Sequence, residues 1–581
     1  MTNSSLRKLG EYLQPYWRQV AIGVLTLLLV NAIGIYIPLL IRDSVDKLET
    51  GFSVNQLSIY VIGVMGLATI MWLVRIYSRI VLFGVGRQIE FDLKQRVFEH
   101  LLTLEPGYFA TQSSGDLISR ATNDIDNIRR LVGFSLLSIA NTIFAYGLTL
   151  PVMLSIDFKL SLIGISVYPL MVIAVIQFSK KIGFLQMKVQ QKLSYLSELV
   201  QEDVSGIALI KIYAQEEHER RAFNERNQEL LITNLNLART RNLLFPVIEA
   251  ISYISLILLL SFGVKNINAG LITIGDFVAL IIFIERLIFP TALLGFTITS
   301  YQSGKVSIDR IEAILQVKPK IVNDPEAINI PLDEVRGEIT AINFSYTYPG
   351  SEKPVLDNLN FTIKAGETIA IVGSVGAGKS TLANAIPRLL EIESGQLFLD
   401  GQDITKIRLD DLRRAIAYVP QESYLFSTTI EDNIRYGKPW IDSSEVIYAA
   451  KQAQIHNEIL NFPLQYETIV GERGITLSGG QRQRTSLARA LLIDAPILIL
   501  DDALSSVDNQ TATQILENFS NTRGKTVIFI THQLAAAMNA DRILVMDHGK
   551  IVQIGTHREL LQTQGLYLNL WQQNQLEAIL Q

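Results

Sequence analysis

A glycine-rich segment at residues 373–380, with the sequence GSVGAGKS, carries residue types that can bind phosphate groups. It follows an apolar, strand-like run at 368–372 and precedes a predicted helix at 381–390. Glycines let successive backbone N–H groups curve around phosphate oxygens, and the following helix directs its positive end to the same place. Lys379 can reach the β- and γ-phosphates of a nucleotide, and the Ser380 hydroxyl can ligate Mg²⁺. The order strand, loop, helix therefore predicts a phosphate-binding loop.

Three further side chains could act on a phosphate held by this loop. An apolar run at 495–501 predicts a strand that ends in Asp501, with Asp502 directly after it. Asp501 could hold Mg²⁺ opposite Ser380, directly or through water, and Asp502 could orient or deprotonate an attacking water. His532 follows the strand-like run 526–530, where its ring could sense the γ-phosphate by hydrogen bonding.

A second glycine-rich segment, LSGGQRQR at 477–484, starts another predicted helix and is a second candidate anion site. One nucleotide does not need two such loops, so this segment is expected to serve a neighbouring copy. Tyr348, just before a Pro-Gly pair, could stack on a nucleotide base; the alternative is an ordinary turn tyrosine.

Composition places these motifs in a chain that is partly membranous. The 581 residues are too many for one core, and 49% of them are apolar whereas only 18% are charged. The net charge of -5 gives no indication of a nucleic-acid partner. The absence of cysteine excludes disulfides and thiolate metal sites, and the six histidines show no metal-ligand spacing.

The first 316 residues are predicted to form a membrane domain. Six apolar runs are long enough to cross a bilayer, at about 20–41, 57–79, 131–155, 158–179, 243–265 and 275–300. The long connections after the second and fourth runs are basic, which places them and both termini in the cytoplasm. Helical apolar spacing continues beyond the runs, so the spans are expected to extend as long cytoplasmic helices. Residues 317–336 are predicted to be a linker, and 337–581 a nucleotide-binding domain.

Two adjacent charges, Glu285 and Arg286, lie deep in the sixth run. Neighbours on a helix point about 100° apart, so the two side chains cannot easily pair with each other. Charges at this depth face a cavity or another helix. The two residues could therefore face the cargo, or each could form an ion pair with another helix; the sequence is compatible with both roles.

Together these features resemble an ATP-binding cassette (ABC) exporter half-transporter, and the resemblance covers essentially the whole chain. It implies six transmembrane helices with long cytoplasmic extensions, then an α/β P-loop cassette that hydrolyses ATP with Mg²⁺ to drive transport. The implied nucleotide contacts are Tyr348, Gly373, Ser374, Gly376, Ala377, Gly378, Lys379, Ser380 and Thr381. The implied catalytic residues are Lys379, Gln421, Asp502 and His532, and the implied metal ligands are Ser380, Gln421 and Asp501.

The resemblance also implies contacts made with other parts of an assembly. The signature residues that would touch the γ-phosphate held by a second cassette are Ser478, Gly479, Gly480 and Gln481. The segment 505–508, ending in Asp508, resembles the D-loop. The turns near Asp116 and Ala214 would be the coupling helices that dock on cassettes.

One residue departs from the family pattern. In the family, the aspartate that ends the strand called Walker B is usually followed by glutamate. In this chain that aspartate corresponds to Asp501, and Asp502 follows it. Aspartate is one methylene shorter, and a displacement of about 1 Å can cost around a hundredfold in rate. In related exporters this change marks the slow site of an asymmetric pair. A heterodimer in which a partner carries the glutamate, and a homodimer, are both compatible with the sequence.

The resemblance implies a half-transporter that works as a dimer in a bacterial-type inner membrane, with its cassette in the cytoplasm. It would move small amphipathic, drug-like or lipid cargo outward by alternating access, and Glu285 slightly favours a cationic cargo. Its expected partners are a second half-transporter, membrane lipid and the cargo, with no nucleic acid. A peptide exporter and an ATP-gated channel or regulator are the alternatives.

Overall fold

The computed structural model describes residues 2–51, 54–507, 511–512, 514–515 and 524–580. The predicted D-loop residue Asp508 lies outside these residues. The chain divides into two compact units, the first comprising Met1–Thr103 and Gln112–Val317, the second Leu104–Thr111 and Lys318–Gln581.

Helices make up the first unit. Within the described residues, six helical segments are long and apolar enough to cross a membrane: Arg7–Leu48, Asn55–Thr103, Ser114–Ile156, Phe158–Ser205, Glu216–Asn268 and Ile274–Leu315. The prediction of six spans is confirmed. The individual helices are α1 (Thr2–Leu13), α2 (Trp17–Thr50), α3 (Val54–Thr103), α4 (Pro106–Thr111, in the second unit), α5 (Ser114–Ser119), α6 (Ile125–Arg130), α7 (Leu136–Ile156), α8 (Phe158–Ile165), α9 (Tyr168–Ser205), α10 (Ile207–Ile212), α11 (Glu216–Asn268) and α12 (Ile274–Leu315).

The predicted extension of the spans beyond the lipid is also confirmed. The longest helix, α11, has 53 residues, and at 1.5 Å per residue it measures about 80 Å. The hydrocarbon core of a bilayer is only about 30 Å thick, so more than half of this helix must lie outside it. The second predicted turn begins where α10 ends, and Ala214 there adopts a positive φ of 52°.

The third span is irregular where it packs on α12. Turns of π-helix at Arg120–Asp124 and Leu131–Ser135 separate α5, α6 and α7. The first of these turns places the buried Asp124 carboxylate against α12, where it accepts a hydrogen bond of 2.7 Å from the Ser307 hydroxyl. Arg310 completes the contact, with 3.0 Å from its Nη1 to the second carboxylate oxygen. The wider turn therefore lets a buried charge reach partners that a regular helix would direct elsewhere.

The other end of α12 is tied to α2. Thr273 caps α12, accepting a hydrogen bond from the Asp276 N–H. The Asp46 carboxylate accepts bonds from the Thr273 hydroxyl at 2.9 Å and the Gly275 N–H at 2.7 Å. A Cβ at position 275 would lie 2.3 Å from the Arg42 carbonyl oxygen, so the close approach of the two helices requires glycine there.

The second unit is an α/β domain with two sheets in its described part. Its strands are β1 (Ile339–Tyr346), β2 (Leu356–Ile363), β3 (Thr368–Gly373), β4 (Leu397–Leu399), β5 (Gln402–Asp403), β6 (Ile416–Val419), β7 (Ile497–Asp501), β8 (Thr526–Ile530), β9 (Arg542–Asp547) and β10 (Lys550–Gly555). The smaller sheet is antiparallel with the order β2-β1-β4-β5, and the larger has the order β10-β9-β3-β8-β7-β6. In the larger sheet all pairings except β10–β9 are parallel, and every residue of β7 and β8 is buried. This burial explains their continuous apolar sequences.

The other helices of the second unit's described part are α13 (Lys379–Ala385), α14 (Leu409–Arg414), α15 (Ile430–Arg435), α16 (Ser443–Gln452), α17 (His456–Leu460), α18 (Gly479–Ile493), α19 (Leu534–Ala537), α20 (His557–Gln562) and α21 (Leu566–Leu580). The helix after the phosphate loop ends at Ala385 rather than at the predicted residue 390. Pro387 supplies no N–H to continue it, and Arg388 adopts a positive φ of 51°.

Asn433 connects three parts of the second unit. It is fully buried, and its side-chain amide donates to the carbonyls of Phe426 at 2.9 Å and Thr429 at 3.0 Å. Its Oδ1 accepts from the Phe426 N–H at 2.9 Å and from Arg489 Nη2, on α18, at 3.0 Å. One amide therefore fixes the helix that begins with LSGGQ against the segment after β6.

Replacing this amide should destabilise the second unit. In Asn433→Ala the Phe426 carbonyl and the Arg489 guanidinium lose partners in a buried site, which should cost about 3 kcal/mol. Thermal unfolding of the purified full-length protein should show a melting temperature lower by roughly 5–10 °C. Asn457→Ala, at an exposed position on α17, is the matched control and should leave it unchanged. Equal melting temperatures for the two variants would contradict this role of Asn433.

Candidate functional site

The predicted phosphate-site residues lie at one edge of the larger sheet because the strands before them are parallel. Gly373 ends β3 and Asp501 ends β7, while Gln421 and His532 follow β6 and β8. In the sheet register Asp501 pairs with Ile530, so the ends of β7 and β8 coincide. Open α/β sheets bind ligands at this carboxyl edge.

The loop at 373–380 is shaped by glycines in conformations that other residues rarely adopt. Gly373 has a φ of 151°, and a Cβ there would lie 1.9 Å from the Met546 carbonyl oxygen on β9. Gly378 has a φ of 92°, and a Cβ would lie 2.9 Å from the Val355 carbonyl oxygen. The Ser374 hydroxyl donates a 2.6 Å hydrogen bond to Asp547, which ties the start of the loop to β9.

Lys379 is held inside this loop. Only 6% of its surface is exposed, and its ammonium donates hydrogen bonds to the carbonyls of Gly373 at 3.0 Å and Ser374 at 2.8 Å. Burial lowers the pKa of the ammonium from its ordinary value, and the nearby Asp502 and Asp501 act in the opposite direction. A phosphate in the loop would supply negative oxygens to a cation that now has only neutral acceptors.

Ser380 and Asp501 form a pair of oxygen donors suited to Mg²⁺. The Ser380 hydroxyl donates to Asp501 Oδ1 at 2.9 Å, and Asp501 is 2% exposed. Burial raises the pKa of Asp501, although the hydrogen bond from Ser380 opposes the shift. A buried carboxylate without a cation is costly, and hydroxyl, carboxylate and amide oxygens are hard ligands of the kind Mg²⁺ prefers. The described residues contain no group of three His, Cys, Asp or Glu side chains that could hold a metal alone.

Asp502 lies in the turn after β7 with a positive φ of 50°, which aspartate tolerates better than most residues. Its N–H donates to the Ile530 carbonyl at 3.0 Å, so the turn is fixed to the end of β8. Burial raises the pKa of the Asp502 carboxyl, while the nearby His532 and Lys379 act to lower it.

A cavity of about 280 Å³ brings most of the predicted site residues together. Its lining includes Gly376, Ala377, Gly378, Lys379, Ser380, Thr381, Gln421, Asp501, Asp502 and His532. Tyr348 adjoins it through a 3.2 Å hydrogen bond between its hydroxyl and that of Thr381. The Tyr348 side chain keeps 39% of its surface exposed, as a base-stacking ring requires.

Comparisons with known proteins give this geometry its context. The family model described as "ABC transporter transmembrane region" matches residues 20–291, and that described as "ABC transporter" matches 356–505. A probable multidrug resistance ABC transporter ATP-binding/permease protein, YheI of Bacillus subtilis (strain 168), is 33% identical over 99% of this chain and 98% of its own length. The chain belongs to the ABC transporter family. It is an integral membrane protein that hydrolyses ATP to drive transport.

Other ABC relatives are similarly complete matches. The ATP-dependent lipid A-core flippase of Syntrophus aciditrophicus (strain SB) is 32% identical over 97% of this chain and 94% of its own length. The multidrug resistance-like ATP-binding protein MdlA of Escherichia coli (strain K12) is 32% identical, with 99% and 97% covered. A bacterial Atm1-family ABC exporter solved with ATP bound has a TM-score of 0.78 and 26% identity, with 96% of this chain and 98% of that chain covered.

The ABC signature lies apart from this nucleotide cavity. Ser478 and Gln481 form a capping box at the start of α18, with hydrogen bonds of 3.2 Å and 2.9 Å between each side chain and the other residue's N–H. Neither they nor Gly479 and Gly480 line the cavity formed by the described residues. The loop and the signature of one chain therefore do not enclose the same space.

Two contacts at the site were not anticipated from the sequence. Gln483, inside the signature segment, donates to the Ser505 hydroxyl at 3.0 Å and accepts from the Ser506 N–H at 2.9 Å. Asp547 accepts the bond from Ser374 across 173 positions of sequence. Each partner is remote in the chain, so no spacing rule could have indicated either contact.

The approach of Gly373 to β9 should be essential for nucleotide binding. In Gly373→Ala the methyl group would collide with the Met546 carbonyl and displace the loop, weakening ATP affinity by about a hundredfold or more. Titration of the full-length protein with a fluorescent ATP analogue measures this. Gly401→Ala is the matched control, because Gly401 also has a positive φ, 78°, but no atom within 4 Å of its Cβ position. The control should be mildly destabilised and keep its ATP affinity; equal losses in both variants would contradict the argument.

Proposed function

We propose that this ABC protein is a half-transporter that pairs with a second subunit and exports small amphipathic molecules by alternating access. The observation that carries the proposal is the separation of Lys379 and its cavity from the signature at the start of α18. The N-terminal end of α18 suits a phosphate, yet its signature residues do not line the cavity that the described residues form at the phosphate loop. A signature from a second cassette would complete the cavity, so that ATP binding would join the two cassettes.

Hydrolysis in the completed site would transfer the γ-phosphoryl group to water. Water attacks the phosphorus, the bond to the β-phosphate oxygen breaks, and ADP and phosphate are released. Lys379 would exchange its carbonyl acceptors for phosphate oxygens, and Asp502 would orient the water and accept its proton. His532 would donate a hydrogen bond to the γ-phosphate. Mg²⁺ held by Ser380, Asp501 and Gln421 would neutralise charge on the β- and γ-phosphates.

We further infer that this chain's own nucleotide site is the slower one of a pair of unlike sites. The Asp502 carboxylate is one methylene shorter than the family's glutamate, and the hydrogen bond from its N–H to Ile530 fixes the turn, so the backbone has little freedom to compensate. The signature on α18 is complete and would support faster hydrolysis in the partner's site. A homodimer would carry Asp502 in both sites and would be slow in both.

The relatives indicate the kind of cargo and of membrane, and the basic connections between the spans indicate the side of the membrane on which the cassette lies. Relatives of this chain are named as multidrug resistance proteins and a lipid A-core flippase, which is consistent with amphipathic cargo. The basic connections after the second and fourth spans favour a cytoplasmic cassette under the positive-inside rule, and the bacterial relatives favour an inner membrane.

The rate of ATP hydrolysis should depend on the length of the residue 502 side chain. The chain purified without other subunits should hydrolyse ATP slowly, and Asp502→Glu should raise the rate by about tenfold because the longer side chain reaches the water. Asp502→Asn should abolish what remains. Asp442→Asn, an exposed carboxylate at the start of α16, is the control and should have no effect. Rapid turnover in the natural chain that Asp502→Asn removes would contradict the slow-site inference.

Transport itself is tested in inverted membrane vesicles that contain the protein with the subunit that co-purifies with it. ATP should drive accumulation of a fluorescent amphipathic dye or a fluorescent lipid against its gradient, and Lys379→Ala should stop it. Passive ion conductance opened by ATP, without accumulation, would instead indicate a channel. Accumulation of peptides but not of dye or lipid would indicate a peptide exporter.

A further inference from the structure

A cavity of about 320 Å³ lies between α11 and α12 in the membrane unit. Its lining contains two carboxylates, Glu249 and Glu285, and three aromatic rings, those of Phe245, Tyr253 and Phe289; its other side chains are aliphatic apart from one serine. We propose that this cavity binds a lipophilic organic cation. The proposal rests on the export function proposed above and names the chemical class of its cargo.

The two carboxylates carry charge that this chain does not neutralise. None of the described residues that line the cavity is basic, and neither Glu249 nor Glu285 forms an ion pair with a described lysine, arginine or histidine. Glu249 accepts a 3.2 Å hydrogen bond from the Tyr253 hydroxyl, which orients the carboxylate but adds no positive charge. Carboxylates inside membrane spans are costly and face protein cavities where a compensating cation can bind.

The neighbouring Arg286 cannot supply that charge, since it is already engaged elsewhere. Its Nη2 donates to the Asn31 carbonyl at 3.0 Å and to Asn31 Oδ1 at 3.3 Å, on α2. Asn31 in turn donates to Asn141 Oδ1 at 3.1 Å, so the guanidinium joins a hydrogen-bonded group on another face of α12. Adjacent helical residues point about 100° apart, and Glu285 is left to the cavity.

The depth of the two carboxylates fits a path for cargo through the inner half of the membrane. Glu285 lies ten residues after Gly275, about 15 Å along α12, near the middle of a hydrocarbon core about 30 Å thick. Glu249 lies nineteen residues before the end of α11, about 28 Å along it, near the cytoplasmic boundary. The cavity therefore extends from the cytoplasmic side, where cargo would enter, to the midplane.

The aromatic and aliphatic lining selects the kind of cation. Rings of Phe and Tyr attract a cation over their faces, and the attraction strengthens when the cation is poorly hydrated. The volume suits a drug-sized molecule. A hydrated metal ion or a small ammonium ion would leave most of the apolar lining without contacts, and both carboxylates would repel an anion. A bulky cation with delocalised or shielded charge matches the charge, the volume and the apolar lining of the cavity.

Two ions of nearly equal shape and opposite charge test this proposal: tetraphenylphosphonium and tetraphenylborate. Equilibrium binding is measured without ATP, on the full-length protein with its co-purifying subunit in lipid nanodiscs. We expect the phosphonium to bind and the borate to bind at least tenfold more weakly. Glu285→Gln and Glu249→Gln should each weaken phosphonium binding by about tenfold, because each removes one of the two negative charges that line the cavity. Glu225→Gln, on the exposed cytoplasmic part of α11, is the matched control and should not change it.

Two results would overturn the proposal. One is phosphonium binding that is unchanged in the double Gln variant or equalled by the borate. The other is Gln variants that alter subunit association in size-exclusion chromatography but not phosphonium affinity, which would assign the carboxylates to an ion pair with the partner subunit. Because binding is measured without ATP, these results leave ATPase activity and vesicle transport untouched. Conversely, charge-dependent binding in a protein without ATP-driven transport would refute the export function and not the site.

Discussion

The contact between the backbone of Gly373 and the Met546 carbonyl on β9 is the constraint on which the nucleotide site depends. It leaves no room for a side chain, so the loop must leave β3 in a conformation that only glycine adopts easily. From this point Ser374 reaches Asp547, and Lys379 turns back to the loop's own carbonyls. The position of the loop and of its buried lysine therefore depends on how closely β3 and β9 pack, whereas Asp501 and Asp502 are positioned by β7.

The signature helix is positioned by contacts on two sides. Asn433 and Arg489 fix its middle to the segment after β6, the strand that precedes Gln421. Gln483 fixes its start to the backbone after Asp502. These bonds connect the signature helix to the chain segments that follow Gln421 and Asp502, two residues that line the nucleotide cavity.

Strands and membrane spans could be predicted from the sequence where they depend on residues that are close together in the chain. The strand 526–530 has the predicted bounds because its apolar run lies between polar or glycine-containing segments. The six spans could be predicted because a helix must be apolar over the thickness of the bilayer core to cross it. The π-helical turns around Asp124 could not be predicted, because Asp124 contacts Ser307 and Arg310, which lie nearly two hundred residues later in the chain. The grouping of Leu104–Thr111 with the second unit likewise depends on contacts distant in sequence.

The same electrostatic rule applies in both units. In the second unit, Asp501 is a buried carboxylate whose neighbours are hydroxyl groups, and the rule predicts a cation beside it. In the membrane unit, the adjacent Glu285 and Arg286 point about 100° apart on their helix, as expected from the sequence, and have different surroundings. Arg286 reaches carbonyl and amide oxygens on α2, whereas Glu285 faces a cavity with aromatic walls and no basic lining residue among those described. Because the lipid hydrocarbon supplies no counter-charge, the cation proposed for this cavity would come from a ligand or from a second subunit.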